Sequence, residues 1–145
     1  MQRRILIVDD DEFVLSLCAT LLLDSGHSVE QADTSDQALE MCRSQQFDVV
    51  VLDCMMQPGA SFTAIETHGG YKTGIALARE IENQQNDCLI IAYTLTEDPE
   101  VLEWFDRPPL YRFASKREVA PSELSSLIER ELRELEWHNE SSKWK

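Results

Sequence analysis

Nowhere in its 145 residues does this chain carry an apolar run long enough to span a membrane. Its basic start, Met1-Gln2-Arg3-Arg4, is followed by a short apolar run, Ile5 to Val8, too short for the core of a secretory signal peptide. Cysteine is sparse as well. Cys18, Cys42, Cys54 and Cys88 form no C-x-x-C pair and no His/Cys cluster at zinc spacing, which argues against a zinc site. Cys18, Cys42 and Cys88 fall within apolar patterns and read as small core residues. Cys54 stands beside Asp53, and all four fit reduced, structural thiols. Positive charge is the other shortage. The 13 Lys and Arg face 27 Asp and Glu, and a net charge of −14 repels a phosphate backbone. Direct nucleic-acid binding is therefore not expected. Nor is there an internal repeat or a long low-complexity segment. What remains is a cytoplasmic chain of single-domain length, whose 43% hydrophobic residues suffice for a core.

That material is arranged as apolar runs alternating with helical patterns. Ile5–Val8 reads as a buried strand, and Asp11 can cap a helix whose apolar positions are Phe13, Val14, Leu17, Cys18, Leu21 and Leu22. Gly26 ends that helix. A weaker strand spans 27–32, and Thr34 or Ser35 caps a helix carrying Ala38, Leu39 and Cys42. Phe47–Leu52 is a third strand, followed by a long polar loop from about Cys54 to Lys72. Ile75, Leu77, Ala78 and Ile81 mark a helix, and Cys88–Tyr93 a fourth strand. Asp98-Pro99 opens a short helix that Pro108-Pro109 must end. Leu110–Ala114 is the fifth strand. From Pro121 a longer helix runs through Leu124, Leu127, Ile128, Leu132 and Leu135, with fraying expected after Trp137.

Continuous apolar strands separated by helical crossovers imply a parallel sheet covered on both faces. The expected fold is α/β: a doubly wound, flavodoxin-like (βα)5 sandwich with strand order 2-1-3-4-5. Ligands of such sheets bind beyond the carboxyl ends of the strands. Here those ends carry Asp9, Asp10 and Asp11, then Asp53, then Thr94, then Ser115-Lys116. Carboxylates gathered in one crevice repel each other unless neutralised, and a hard divalent cation with a lysine does that. A carboxylate, Mg2+, a hydroxyl and an ammonium suit phosphoryl transfer.

Four motifs, "ILIVDDDE" (5–12), "VVVLDCMM" (49–56), "IIAYT" (90–94) and "YRFASK" (111–116), together resemble the receiver domain of bacterial two-component response regulators. The resemblance runs from Arg4 to about Leu135. It implies that Asp53 is the phosphoacceptor, that Asp9 and Asp10 are the acidic pair, and that the Met55 main-chain carbonyl joins them and Asp53 around Mg2+ or Mn2+. The triple Asp leaves the register of the pair slightly open, and "IVDD" directly after the strand favours Asp9-Asp10. The same resemblance makes Thr94 the switch hydroxyl, Lys116 the phosphoryl contact and Phe113 the switch aromatic. It implies as partners a histidine kinase or histidine phosphotransfer protein, a downstream output domain or protein, and a phosphorylation-linked homodimer. No enzyme activity is implied beyond self-catalysed phosphorylation and dephosphorylation.

The chain departs from the family pattern in several places. After Met56 come Gln57, Pro58 and Gly59, and the matching glycine is Gly74, so about a dozen extra residues intervene. Leu95 replaces a small residue after Thr94, and Arg117 stands where a proline with a cis bond is usual. Pro108-Pro109 replaces small residues. The expected layout is a receiver domain over 1–138 with an insertion at about 57–72, and a polar tail over 139–145. His68, inside the insertion, has no second His or Cys nearby and reads as a solvated histidine. Leu95 and Arg117 keep open a receiver-like interaction module that takes no phosphate. An aspartate-nucleophile phosphatase of the haloacid-dehalogenase kind would need an acid two residues after Asp53, where Met55 stands. A flavin carrier would need hydroxyls and glycine where Asp9-Asp10-Asp11 stand.

Overall fold

The computed structural model describes residues 2–63, 67, 69–70 and 72–142; His68 lies outside them. Five parallel strands, β1 (Arg4–Val8), β2 (Ser28–Ala32), β3 (Val49–Leu52), β4 (Leu89–Thr94) and β5 (Tyr111–Ser115), form one sheet in the order β2-β1-β3-β4-β5. They alternate with α1 (Glu12–Asp24), α2 (Ser35–Ser44), α3 (Thr73–Gln84), α4 (Pro99–Phe105) and α5 (Leu124–Ser142), the last preceded by a 3-10 turn at Pro121–Glu123. This is the flavodoxin-like topology expected from the sequence.

Strand periodicity divides the core in two. Leu6, Val8, Val50, Leu52, Ile90 and Ala92 face the layer of α2, α3 and α4, where Leu39, Leu77, Ile81 and Phe105 meet them. Ile5, Ile7, Val49, Val51, Leu89 and Ile91 face α1 and α5, packing on Leu15, Leu22, Ile128 and Leu132. Burial on both faces explains the unbroken apolar runs of β1, β3 and β4. The edge strand β2 has Ala32 as its only fully buried residue.

Strand ends differ from the sequence reading by a residue or two. Phe47 precedes β3, its N–H held by Gln85 Oε1 at 2.8 Å, while β4 extends to Thr94 and β5 to Ser115. The apolar face of α1 is a correction. Leu15, Cys18, Ala19 and Leu22 are buried, whereas Phe13 is 75% exposed and Leu17 is also exposed. The helix is apolar nearly all round, so the 3.6-residue period admits two stripes, and contact with the sheet selects the one containing Leu15. The last helix also outruns its apolar stripe. It continues to Ser142 because 136–142 hold neither glycine nor proline to stop it.

Candidate functional site

Each of three strand ladders extends one residue beyond its strand and so fixes a polar side chain. The Asp9 N–H donates to the Ala32 carbonyl at 3.1 Å, the Asp53 N–H to the Val8 carbonyl at 3.0 Å, and the Lys116 N–H to the Thr94 carbonyl at 3.0 Å. These bonds set Asp9, Asp53 and Lys116 along one edge of the sheet. The Lys116 ammonium donates to Asp9 Oδ2 at 2.8 Å and lies 3.4 Å from Asp53 Oδ2. The remaining oxygens are held by the backbone. Asp9 Oδ1 accepts from the Asp11 N–H at 2.9 Å, and Asp53 Oδ1 from the Met55 N–H at 3.1 Å. Asp11 itself caps α1, accepting from the N–H groups of Phe13 and Val14.

Asp9 and Asp53 are buried and Asp10 is exposed, yet ligand oxygens of all three lie within 4.8 Å of one another. Burial raises the Asp9 carboxyl above its ordinary value, outweighing the hydrogen bond to Lys116. Asp10 is raised by burial and then by the charge of Asp53. Burial alone would lower the Lys116 ammonium, but its bond to Asp9 and the charge of Asp53 outweigh burial and hold it above the ordinary lysine value. One ammonium thus offsets only part of the cost of three clustered acids. A donor set of carboxylate oxygens with surplus negative charge fits a hard divalent cation.

That surplus has a measurable consequence. A carboxyl whose folded pKa is raised contributes stability that is fully present below the unfolded value of 3.8 and is lost as pH rises through the folded value. At neutral pH the ionised Asp10 therefore costs the fold stability. Asp10→Asn should raise the thermal midpoint in metal-free buffer at pH 7, as scanned by circular dichroism; an unchanged or lowered midpoint would contradict the account.

An open pocket of about 240 Å³ adjoins the acids, lined by Asp10, Met55, Met56, Gln57, Gly69 and Gly70. The insertion thereby forms one wall of the site. Its first turn is tied to α2: Asp36 accepts from the N–H groups of Ala60 at 2.8 Å and Ser61 at 2.9 Å, and the Ser35 hydroxyl donates to the Pro58 carbonyl at 2.9 Å. Its far end is tied to α4 through ion pairs of Lys72 with Glu100 and, at 3.9 Å, Asp98.

The switch candidates lie on the neighbouring strands, Thr94 on β4 and Phe113 on β5. Thr94 is fully buried at the end of β4, and its hydroxyl oxygen accepts from the Thr96 N–H at 3.4 Å. Phe113 is half-buried against the core on the α2–α4 side. Neither shares a hydrogen bond with the three carboxylates among the described residues. Leu95 is exposed. Arg117 pairs with Glu97, joining the β4–α4 and β5–α5 loops, and its peptide is not cis; among the described residues the cis bond is Pro108-Pro109. Both partners of the Arg117 pair are exposed, so it adds little stability. Cys54 is fully buried and its thiol is pushed far up by burial, consistent with a structural role. Sequence reasoning passed over Asp36, Lys72 and Thr73. An acid in the first turn of a helix and a glycine pair before one were the only local signals.

Sequence comparison decides the family. The model of the response regulator receiver domain matches residues 5–129. This chain belongs to that family. It is 31% identical over 101 residues to the CAI-1 autoinducer sensor kinase/phosphatase CqsS of Vibrio cholerae, covering 70% of this chain and 13% of that protein. It is 45% identical over 56 residues to the response regulator MprA of Mycolicibacterium vanbaalenii, covering 39% of this chain and 24% of that one. The chain therefore spans less than a quarter of either relative. Among solved structures, a CheY-like receiver domain protein from Methanospirillum hungatei superposes with a TM-score of 0.77 at 22% identity, covering 95% of this chain and 99% of that one. NtrX from Brucella abortus gives 0.77 at 26% identity over 98% of this receiver domain and 30% of that chain. No helix among the described residues is long and apolar enough to cross a membrane.

Proposed function

We propose that this receiver domain accepts a phosphoryl group on Asp53 from the phosphohistidine of a histidine kinase or histidine phosphotransfer protein. The observation that carries the reading is the Lys116 ammonium set between Asp9 and Asp53 at an open strand edge. In the transfer a carboxylate oxygen of Asp53 bonds to phosphorus while the phosphorus–nitrogen bond breaks, and the departing imidazole takes up a proton. The Met55 N–H fixes the rotation of the carboxylate through Oδ1, and Lys116 offsets the charge added on the phosphoryl oxygens. Asp9, Asp10, Asp53 and the Met55 carbonyl would hold Mg2+ or Mn2+, and the bound cation supplies the positive charge that lets carboxylate and phosphoryl oxygens approach.

Thr94 and Phe113 then form the switch. The hydroxyl of Thr94, now on a long bond to Thr96, turns toward the phosphoryl group, and Phe113 fills the space it leaves. The face of α4, β5 and α5 changes its affinity for an output partner or a second copy of the domain. This reading places the domain in the cytoplasm, without nucleic-acid contacts of its own and with no turnover beyond gain and loss of its own phosphoryl group.

Incubation with acetyl phosphate and Mg2+ tests it. The parent should gain one phosphoryl group by intact-protein mass spectrometry and Asp53→Asn none. If the two behave alike, a receiver-like interaction module replaces the phosphoacceptor reading. The wall formed by Gly69 and Gly70 supports a gating role for the insertion. Deletion of residues 60–71 should change the phosphorylation or dephosphorylation rate severalfold in stopped assays; equal rates would make it a passive loop.

A further inference from the structure

The loop that follows Asp53 is held by the returning end of the insertion. The Met56 N–H donates to the Gly70 carbonyl at 3.1 Å, and the Gly74 N–H donates to the Cys54 carbonyl at 3.1 Å. The hydroxyl of Thr73, fully buried, donates to the Met56 carbonyl, with the Gly70 carbonyl 3.3 Å away. Both carbonyls flanking that of Met55 are thus engaged, and the Met55 N–H is engaged by Asp53 itself.

A threonine in the first turn of a helix ordinarily serves that helix's own end. Here α3 starts without any side-chain cap, and the hydroxyl reaches across to the loop instead. Met56 is buried, so without that hydroxyl its carbonyl would lose a partner that water cannot readily replace. Gly70 closes the other side. It sits at φ +99°, and a Cβ there would come within 2.8 Å of the Met56 carbonyl oxygen.

We infer that Thr73, backed by Gly70, is a positioning residue that sets the peptide planes of Cys54 to Met56 so that the Met55 carbonyl is presented to the divalent cation. The inference rests on the phosphoacceptor reading of Asp53. It assigns to the end of the insertion a task in cation binding that is separate from gating.

Mn2+ titration of the full chain, with free ion counted by electron paramagnetic resonance, tests this. Loss of one net hydrogen bond should weaken Mn2+ binding by Thr73→Val on the order of fivefold. Thr73→Ser, which keeps the hydroxyl, should bind like the parent, and Gly70→Ala should weaken binding like Thr73→Val. In phosphorylation by acetyl phosphate, the Mg2+ midpoint of Thr73→Val should shift upward by the same factor while the rate at saturating Mg2+ stays that of the parent. Parental Mn2+ affinity in Thr73→Val, or equal losses in the valine and serine variants, would overturn the inference alone. A lowered plateau with an unmoved midpoint would overturn it too. If Thr73→Val does not fold, parental affinity in Gly70→Ala overturns it and weakened affinity upholds it. A parent chain that binds no Mn2+ and takes no phosphoryl group would overturn this inference together with the reading of Asp53.

Discussion

Lys116→Met is expected to slow phosphorylation of Asp53 by acetyl phosphate about a hundredfold or more, the usual cost of removing a charge-stabilising donor from the reacting oxygens. The same change should lower stability at neutral pH, without divalent cation, by about 2–3 kcal/mol. Breaking a fully buried ion pair costs about 3–5 kcal/mol, and the figure is discounted here because the site opens to water. The cause is what the ammonium leaves behind. Asp9 and Asp53 would keep their backbone donors but face each other, with Asp10 nearby, and no cation between them. The linkage gives a pH signature. The Asp9 carboxyl is raised by burial, so it protonates in the fold at a higher pH than in the unfolded chain. The stability gap between parent and variant should narrow as pH falls through that raised value. On the basic side, with its carboxylates ionised, the ammonium's contribution is present below the ordinary lysine value of 10.5 and is lost as pH rises through its raised folded value. Urea titrations at several pH values, with and without Mg2+, would show both trends. A gap that widens in acid would contradict the electrostatic account.

Gly74→Ala should destabilise the domain by about 2 kcal/mol, in the range for overpacking a tight contact, although alanine favours a helix over glycine by about 1 kcal/mol. The added Cβ would stand 2.5 Å from Cys54 Cα and 2.8 Å from its Sγ. The Cα cannot swing aside, because Cys54 directly follows Asp53 and its carbonyl accepts the Gly74 N–H. The start of α3 must therefore retreat from the end of β3. The strain falls on the segment that orients Asp53, so phosphorylation should slow along with the loss of stability. A urea midpoint equal to the parent's would show that α3 can shift freely and that the close approach has no structural weight.

What the sequence disclosed and what it hid follow from the kind of signal each residue leaves. Val49–Leu52 announces a strand buried on both faces, and the polar residues just beyond the strand ends fall together because a parallel sheet puts all its carboxyl ends on one edge. That rule put Asp9, Asp10, Asp11, Asp53, Thr94 and Lys116 at one edge, and the resemblance to the receiver family singled out Asp9 and Asp10 from the acidic run. The face of α1 was legible only in part: Cys18 and Leu22 are buried as expected, but Phe13 and Leu17 compete with Leu15 and Ala19 for the same period, and packing on Ile5 and Ile7 decides between them. The bonds of Asp36, Lys72 and Thr73 left only faint local signals, an acid in a first helical turn and a glycine pair before a helix. Each joins a side chain to a partner fixed by the path of the chain, and no periodicity records such a partner. The insertion appeared in the sequence as surplus length after Gln57. In three dimensions its described residues are fixed to α2, to the loop after Asp53 and to α4.

The central claim is that Asp53 carries the phosphoryl group, and its most direct measurement locates the acyl phosphate chemically. The chain is treated with acetyl phosphate and Mg2+, then with borohydride, which reduces an aspartyl phosphate to homoserine with release of phosphate. Peptide mass spectrometry should find homoserine at position 53 and intact aspartate at 9, 10 and 11. Homoserine at one of those three positions, or at none, would contradict the account.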